Sequence, residues 1–177
     1  MIGKILSDGS ALFLFWLFVS AGVGKLKPAN RQYYLDLATE YVGTSLLLRY
    51  AVLLLGGIEV VSGLLVVVPA TRLVGMACIL GLLVAYLALM AYQLYQGKVD
   101  MDCGCAGPGA NIKIGAESLA RNVILGGIAG LCMLPAVGDL LSTISLSLAL
   151  AIFMTLTYSS AEKAVSNFQK IKLLKAN

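Results

Sequence analysis

Residues 71–94 read TRLVGMACILGLLVAYLALMAYQL, and this apolar run decides the fold class. A transmembrane helix needs about 20 predominantly apolar residues, which this stretch supplies. Of the 177 residues in the chain, 59% are hydrophobic and 12% are charged. The charged share is about half that of soluble domains. The sequence therefore predicts an all-α integral membrane helix bundle that forms a single domain over residues 1–177.

Apolar runs on both sides of this stretch predict further spans, four to five in all. The expected spans are residues 11–26, 46–68, 71–94, 119–135 and 139–158. The first could instead be a signal peptide, since Val19-Ser20-Ala21 resembles a cleavage site, but its retention as a span is favoured. Residues 29–46 carry tyrosines at helical spacing, which indicates either an amphipathic interfacial helix or a connecting loop.

The composition excludes several classes of protein. The chain has no histidine, so Ser–His and Cys–His catalysis are excluded and a favoured metal ligand is missing. The net charge of +4 is modest and is spread over loops and a basic, amphipathic tail, which argues against a nucleic-acid partner. Four cysteines are too few for a disulfide scaffold of the secreted type.

The polar loop at residues 96–117 contains the sequence Asp102-Cys103-Gly104-Cys105-Ala106-Gly107-Pro108-Gly109. A turn-like backbone, which Gly104 permits, lets the sulfurs of Cys103 and Cys105 face the same way. A disulfide between them would close a tight ring that is easily reduced, as in a catalyst or relay. Binding of a soft metal by the two thiolates, or no chemistry at all, are the alternatives.

Positive charge is expected near these thiols, because it stabilises a thiolate. The cations on the loop's side of the membrane include Lys25, Arg49, Lys98, Lys113 and Arg121. Arg121 opens the fourth predicted span directly after the loop. It could lower the pKa of a cysteine or simply anchor the helix at the interface.

Glu59 lies near the middle of the second predicted span. A carboxyl at that depth is costly and usually faces a partner inside the bundle. Lys25 and Arg49 are the candidate partners. Cys78 and Cys132 form a second candidate thiol pair within the apolar runs, although free cysteine also packs well as a small apolar side chain.

The distribution of basic residues conflicts with the redox interpretation of the loop. With five spans, two basic residues, Lys4 and Arg72, lie on one side and the other 11 of the 13 lie on the loop's side. The positive-inside rule would place the loop in the cytoplasm. A dithiol–disulfide pair is more expected in an oxidising compartment, and we favour an extracytoplasmic loop.

Two sets of motifs are similar to known families. The Cys103-Gly104-Cys105 loop with Gly107, followed by Leu119-Ala120-Arg121-Asn122, resembles the methylamine-utilisation protein MauE family. The sequences GVGKLKP and GGIEVVSGLLVVVP are similar to the broader DoxX-like group. The resemblance covers residues 11–135. It implies a bacterial inner-membrane bundle linked to disulfide formation or to electron transfer with a thioredoxin-like partner, with Cys103 and Cys105 as the redox pair and Arg121 in support.

The sequence is thus interpreted as a membrane thiol–disulfide redox protein, a candidate thiol–disulfide oxidoreductase. Its Cys103/Cys105 pair would exchange electrons with a thioredoxin-like or substrate protein through a mixed disulfide. A quinone is a candidate acceptor, suggested only by the membrane location and the aromatic side chains; no resident metal is expected. A soft-metal-binding membrane carrier and an accessory subunit of a larger membrane complex are the alternative functions.

Overall fold

The computed structural model describes residues 2–43, 47–98, 101–104, 107–108, 112–134 and 140–176. Within these ranges the regular structure is helical, and one isolated antiparallel bridge joins Asp102 to Lys113. The predicted all-α membrane helix bundle is confirmed.

Six α-helices follow one another in the described part of the chain. They are α1 (Ile2–Leu26), α2 (Arg31–Val42), α3 (Leu48–Val67), α4 (Arg72–Tyr95), α5 (Ala116–Leu131) and α6 (Leu140–Ala176), with a 3-10 turn at Pro28–Asn30 before α2. Four of them, α1, α3, α4 and the Thr143–Ile171 part of α6, are long and apolar enough to cross a membrane. The 16 residues of α5 extend about 24 Å, less than the hydrocarbon core of roughly 30 Å. The protein is therefore a multi-pass membrane protein.

Helix α1 lies at the centre of the bundle and contacts α3, α5 and α6, while α4 packs between α3 and α5. Phe13, Leu14 and Phe18 of α1 are buried in the main core. A Cβ atom on Gly22 would lie 2.6 Å from the carbonyl oxygen of Gly56 in α3. Small residues at this crossing bring the two backbones into direct contact, as is common between membrane helices.

The outer faces of the spans are apolar and open. Leu54 of α3, Val84 of α4 and Phe153 of α6 are 64%, 64% and 67% exposed. Since no other part of the described chain covers these side chains and the helices are of membrane length, they contact lipid.

Helix α1 begins at Ile2, well before the predicted start at residue 11. Two polar side chains near its beginning are paired with residues of other helices. Asp8 forms an ion pair with Arg72 at 2.9 Å, and the Ser7 hydroxyl donates to the carbonyl oxygen of Cys132 at 2.8 Å. These contacts tie α1, α4 and α5 together at the end of the bundle opposite the cysteine loop.

Two other helices differ from their predicted spans. Helix α5 begins and ends earlier than the predicted span at residues 119–135. Helix α6 continues through the predicted basic tail as one helix of 37 residues, which is about 56 Å long. The C-terminal part of α6, around Gln169, lies against the cysteine loop, as described next.

Candidate functional site

A short antiparallel pairing holds the described part of the loop between α4 and α5. The backbone N–H of Cys103 donates to the carbonyl oxygen of Ile112 at 2.8 Å, and that of Ile114 donates to Met101 at 2.9 Å. An ion pair at 3.2 Å joins Lys113 to Asp102 across the same pairing. Cys103 is thereby fixed at the base of the loop.

The C-terminal part of α6 supports the second strand of this pairing. The Lys113 N–H donates to Oε1 of Gln169 at 2.9 Å, and the Gln169 side-chain amide lies 3.4 Å from the Lys113 carbonyl oxygen. The Ser118 hydroxyl of α5 donates to that same carbonyl oxygen at 3.0 Å. The C-terminal part of α6 thus holds the loop in place.

The loop lies directly against helix α2. Gly104 has a φ angle of +71°, and a Cβ atom there would lie 2.2 Å from Cδ2 of Leu37. The residue between the two cysteines therefore needs both the left-handed backbone and the absence of a side chain. The Tyr41 hydroxyl of α2 donates to the Asp102 carbonyl oxygen at 3.4 Å.

Cys103 lies in a nearly closed environment and is 8% exposed. Its sulfur is 3.6 Å from Sδ of Met90 and 3.2 Å from Nη2 of Arg121. Cys103 is disulfide-bonded in the structure. Cys105, the partner predicted from the sequence, lies outside the described residues.

Arg121 links Cys103 to α6. Its Nη1 atom forms an ion pair with Oε1 of Glu162 at 3.0 Å. The same carboxylate oxygen accepts a hydrogen bond from the Tyr158 hydroxyl at 2.7 Å. Because Glu162 fixes one end of the guanidinium, the other end remains directed at the Cys103 sulfur.

A second polar cluster lies inside the bundle around Glu59, which is 1% exposed. Lys25 donates to both carboxylate oxygens, at 2.9 and 2.8 Å, and the Tyr86 hydroxyl donates to Oε1. The ammonium also lies over the rings of Tyr34 and Tyr86, at 5.4 and 5.8 Å from their centres. The buried carboxylate is therefore paired and hydrogen-bonded, as its depth requires.

Of the two candidate partners for Glu59, the structure selects Lys25. A Cβ atom on Gly56 would lie 3.1 Å from Cβ of Lys25. The Lys25 stem therefore runs across the bare backbone of α3 and reaches the carboxylate deeper in the bundle. Arg49 is exposed in the first turn of α3.

A partly open cavity of about 250 Å³ connects the two polar clusters. Its walls are mostly apolar, and its lining includes Cys103, Arg121, Asn122, Lys25, Glu59 and Tyr86. Tyr86 and Met90 are one helical turn apart on α4. Since Tyr86 contacts Glu59 and Met90 contacts Cys103, the two clusters occupy neighbouring levels of the same cavity.

Tyr34 closes this cavity from the side of α2. Burial raises the pKa of its phenol to about 12. The hydroxyl therefore stays protonated at physiological pH and remains a hydrogen-bond donor. Tyr41, also in α2, has its pKa raised to about 12, mainly by burial.

The second candidate thiol pair is placed differently from the loop cysteines. Cys78 and Cys132 are both free; Cys78 is exposed on α4 and Cys132 is buried. The Cys132 sulfur lies 3.9 Å from the Ile128 carbonyl oxygen, and the residue belongs to the main apolar core. Cys132 therefore packs as a small apolar side chain, whereas Cys78 does not belong to that core, and their use as a second redox pair stays a prediction.

Sequence reasoning missed four residues of the site. They are Tyr86, Met90, Glu162 and Gln169. Tyr86 lies in the third predicted span, next to the span that carries Glu59, and a hydroxyl so placed was a usable signal. Glu162 is an acidic residue in a basic tail, which also marked it as a partner. Nothing in the local sequence distinguished Met90 or Gln169.

Comparison with known protein families places the chain in one of them. A family model described as methylamine utilisation protein MauE matches residues 3–135. This range includes α1 to α5 and the cysteine loop, and excludes α6. No curated protein and no solved structure matches the chain.

Proposed function

Since the chain belongs to the family of the methylamine utilisation protein MauE, we propose that it is a membrane thiol–disulfide oxidoreductase. Cys103 and Cys105 form its redox pair. They exchange electrons with a thioredoxin-like or other disulfide-bearing protein. The proposal concerns the chemistry of the loop, which the family description does not specify.

The observation that carries the proposal is the contact between Arg121 and Cys103. The guanidinium lies 3.2 Å from the sulfur and brings a positive charge to it. Such a contact stabilises a thiolate, which is both the attacking and the leaving group in thiol–disulfide exchange. A structural disulfide has no need of this charge.

The burial of Cys103 suggests the order of the exchange. A thiolate of the partner protein attacks Cys105, and the Cys103–Cys105 bond breaks. Cys103 leaves as a thiolate beside Arg121, and a mixed disulfide joins Cys105 to the partner. The partner's second thiolate then attacks its own sulfur in this bond and releases the Cys105 thiolate. The partner becomes a disulfide, the pair becomes a dithiol, and two electrons have been transferred.

The proposed location is a bacterial inner membrane with the loop on the extracytoplasmic side. The loop connects α4 to α5 at one end of the bundle, and the proposal puts this end within reach of a soluble partner. An extracytoplasmic loop agrees with the oxidising conditions in which reactive disulfides persist.

Trapping of the mixed disulfide tests this function. The two purified variants, Cys103→Ser and Cys105→Ser, are each incubated with a thioredoxin-type protein. The resolving cysteine of this protein has been removed, and its remaining active-site cysteine carries an activated disulfide. Cys103→Ser keeps Cys105, the cysteine that the proposal assigns to the partner, and should form the mixed disulfide at least about tenfold faster than Cys105→Ser, whose remaining thiol is buried. Cys78→Ser serves as the control, because it leaves both loop cysteines in place.

Two other results would favour the alternative functions. If the wild-type pair stays reduced under oxidant and binds one Cu(I) ion per chain, the protein is a soft-metal carrier. In the described residues no group of three or more His, Cys, Asp or Glu side chains converges, so such a carrier would rely on the loop cysteines. If the Cys103→Ser/Cys105→Ser variant keeps full function in cells, the protein is an accessory subunit.

A further inference from the structure

We propose that the cavity beneath Cys103 binds the ring of a quinone, which takes up the two electrons of the reduced cysteine pair. This inference rests on the proposed function for its electron donor. The binding site itself is argued from the cavity and can be tested without the cysteines.

The size and position of the cavity fit a single substituted ring. An engineered apolar cavity of about 150 Å³ accepts benzene, so about 250 Å³ has room for a ring with small substituents. Ala51 of α3 and Leu89 of α4 line the cavity and are exposed. A long apolar tail can therefore leave between α3 and α4 and continue into the lipid.

Two buried donors at the cysteine end suit the carbonyl oxygen of such a ring. Nε of Arg121 is buried and has no hydrogen-bond partner in the part of the chain that the structure describes. Asn122 is 5% exposed, and its side-chain amide faces the Met90 sulfur at 4.0 Å. A thioether is a weak acceptor. A carbonyl oxygen that accepts from both groups would satisfy them, whereas a lipid acyl chain would not.

The cluster around Glu59 provides a proton at the other level of the cavity. The Tyr86 hydroxyl lines the cavity and is hydrogen-bonded to Glu59, which is paired with Lys25. Reduction of a quinone places negative charge on its oxygens. The Tyr86 hydroxyl can turn its single hydrogen from Glu59 to such an oxygen and donate it as a proton, and the Lys25 ammonium group that shares Glu59 can supply the proton that restores the hydroxyl.

The reaction balances with these groups. The Cys103 thiolate adds to the ring and forms a carbon–sulfur bond. The Cys105 thiolate attacks the Cys103 sulfur, the sulfur–sulfur bond forms, and the carbon–sulfur bond breaks with its electron pair left on the ring. The two thiols are oxidised to a disulfide, the quinone is reduced to a quinol, and the two thiol protons are matched by two protons on the ring oxygens.

Equilibrium binding tests the site. The full chain is reconstituted in quinone-free phospholipid nanodiscs and titrated with a benzoquinone that carries one isoprenoid unit. We expect saturable binding of one quinone per chain, both in the wild type and in Cys103→Ser/Cys105→Ser. Leu55→Phe adds bulk to the cavity wall and should weaken binding about tenfold. Ile58→Phe, on the exposed face of α3, should bind as the wild type does.

A second variant guards against misfolding of the first. Asn122→Leu keeps the volume but removes the amide donor, and it should also weaken binding about tenfold. Binding that does not saturate, or that is equal in Leu55→Phe, Asn122→Leu and Ile58→Phe, would show that the cavity holds only lipid and would overturn the inference.

A redox measurement separates this inference from the proposed function. Mixed anaerobically with the reduced wild type, the quinone should yield one quinol for each disulfide formed. If the mixed disulfide with a partner forms but no quinol appears, the quinone inference fails and the exchange function stands. If the variant without loop cysteines binds quinone while no exchange is seen, the binding site stands and the exchange function fails.

Discussion

At the scale of single residues, Arg121 has the largest expected effect on the chemistry. It joins the Cys103 sulfur to Glu162, so it contributes charge to the thiol and receives its orientation from α6. A substitution at Arg121 removes the charge, whereas a substitution at Glu162 changes only its orientation. Glu162 contacts Arg121 and Tyr158.

We predict that Arg121→Met slows the alkylation of Cys103 about tenfold near pH 7, since the cation that stabilises the thiolate is removed. The rate is measured in a Cys105→Ser background across a range of pH, and the whole profile should move to higher pH. Lys98→Met is the control, because Lys98 is exposed on the same side. An unchanged profile for Arg121→Met would remove the electrostatic role from the account.

The Lys25–Glu59 pair yields a prediction about stability. Removing one member of a buried ion pair leaves the other charge uncompensated, at a cost of about 3–5 kcal/mol. Lys25→Met should therefore lower the Tm of the purified protein clearly. Lys25→Met/Glu59→Gln should recover most of that loss, because no buried charge remains unpaired. Equal loss in the single and double variants would mean that packing of the lysine stem, rather than charge, determines stability here.

At the scale of elements, the contact between the loop and α2 depends on Gly104. We predict that Gly104→Ala makes Cys103 more accessible to alkylation and slows disulfide exchange, because the new methyl group would overlap Leu37. Gly97→Ala is a matched control. Gly97 has a similar φ angle of +76°, but a Cβ atom there would meet nothing within 4 Å. Equal effects of the two variants would attribute the change to backbone strain alone.

The helices were largely predictable from hydropathy, whereas their ends were not. The start of α1 was placed too late, because Ser7 and Asp8 read as a polar entry segment. Their partners, Cys132 and Arg72, lie far away in the sequence. The continuation of α6 has the same kind of cause, since Gln169 contacts Lys113 across the fold.

The candidate site was predictable in part for similar reasons. The cysteines and Arg121 stand out in the sequence because they occur together in a polar loop between apolar runs. The choice of Lys25 over Arg49 as the partner of Glu59 depends on how closely α1 and α3 approach at Gly22 and Gly56. A backbone approach of this kind has no signature in the sequence beyond the glycines themselves.

At the scale of the whole molecule, the orientation in the membrane determines which partner the loop can meet. The basic residues and the expected redox chemistry favour opposite sides. We predict that a membrane-impermeant maleimide, added to intact cells after mild reduction, labels the loop cysteines. The experiment uses a variant that carries both Cys78→Ser and Cys132→Ser, so that the loop cysteines are the ones left to label. Labelling only after the cells are lysed would place the loop in the cytoplasm, as the positive-inside rule suggests.

The central claim is that Cys103 and Cys105 alternate between a disulfide and a dithiol. Its most direct test is thiol trapping and mass spectrometry of the purified protein across a series of thiol–disulfide buffers. We expect one peptide containing both cysteines to change in a single two-electron transition, from a doubly alkylated dithiol to a disulfide that carries neither alkyl group and is two hydrogen atoms lighter than the free dithiol. If both cysteines remain alkylated in every oxidising buffer, the pair does not cycle and the account is contradicted.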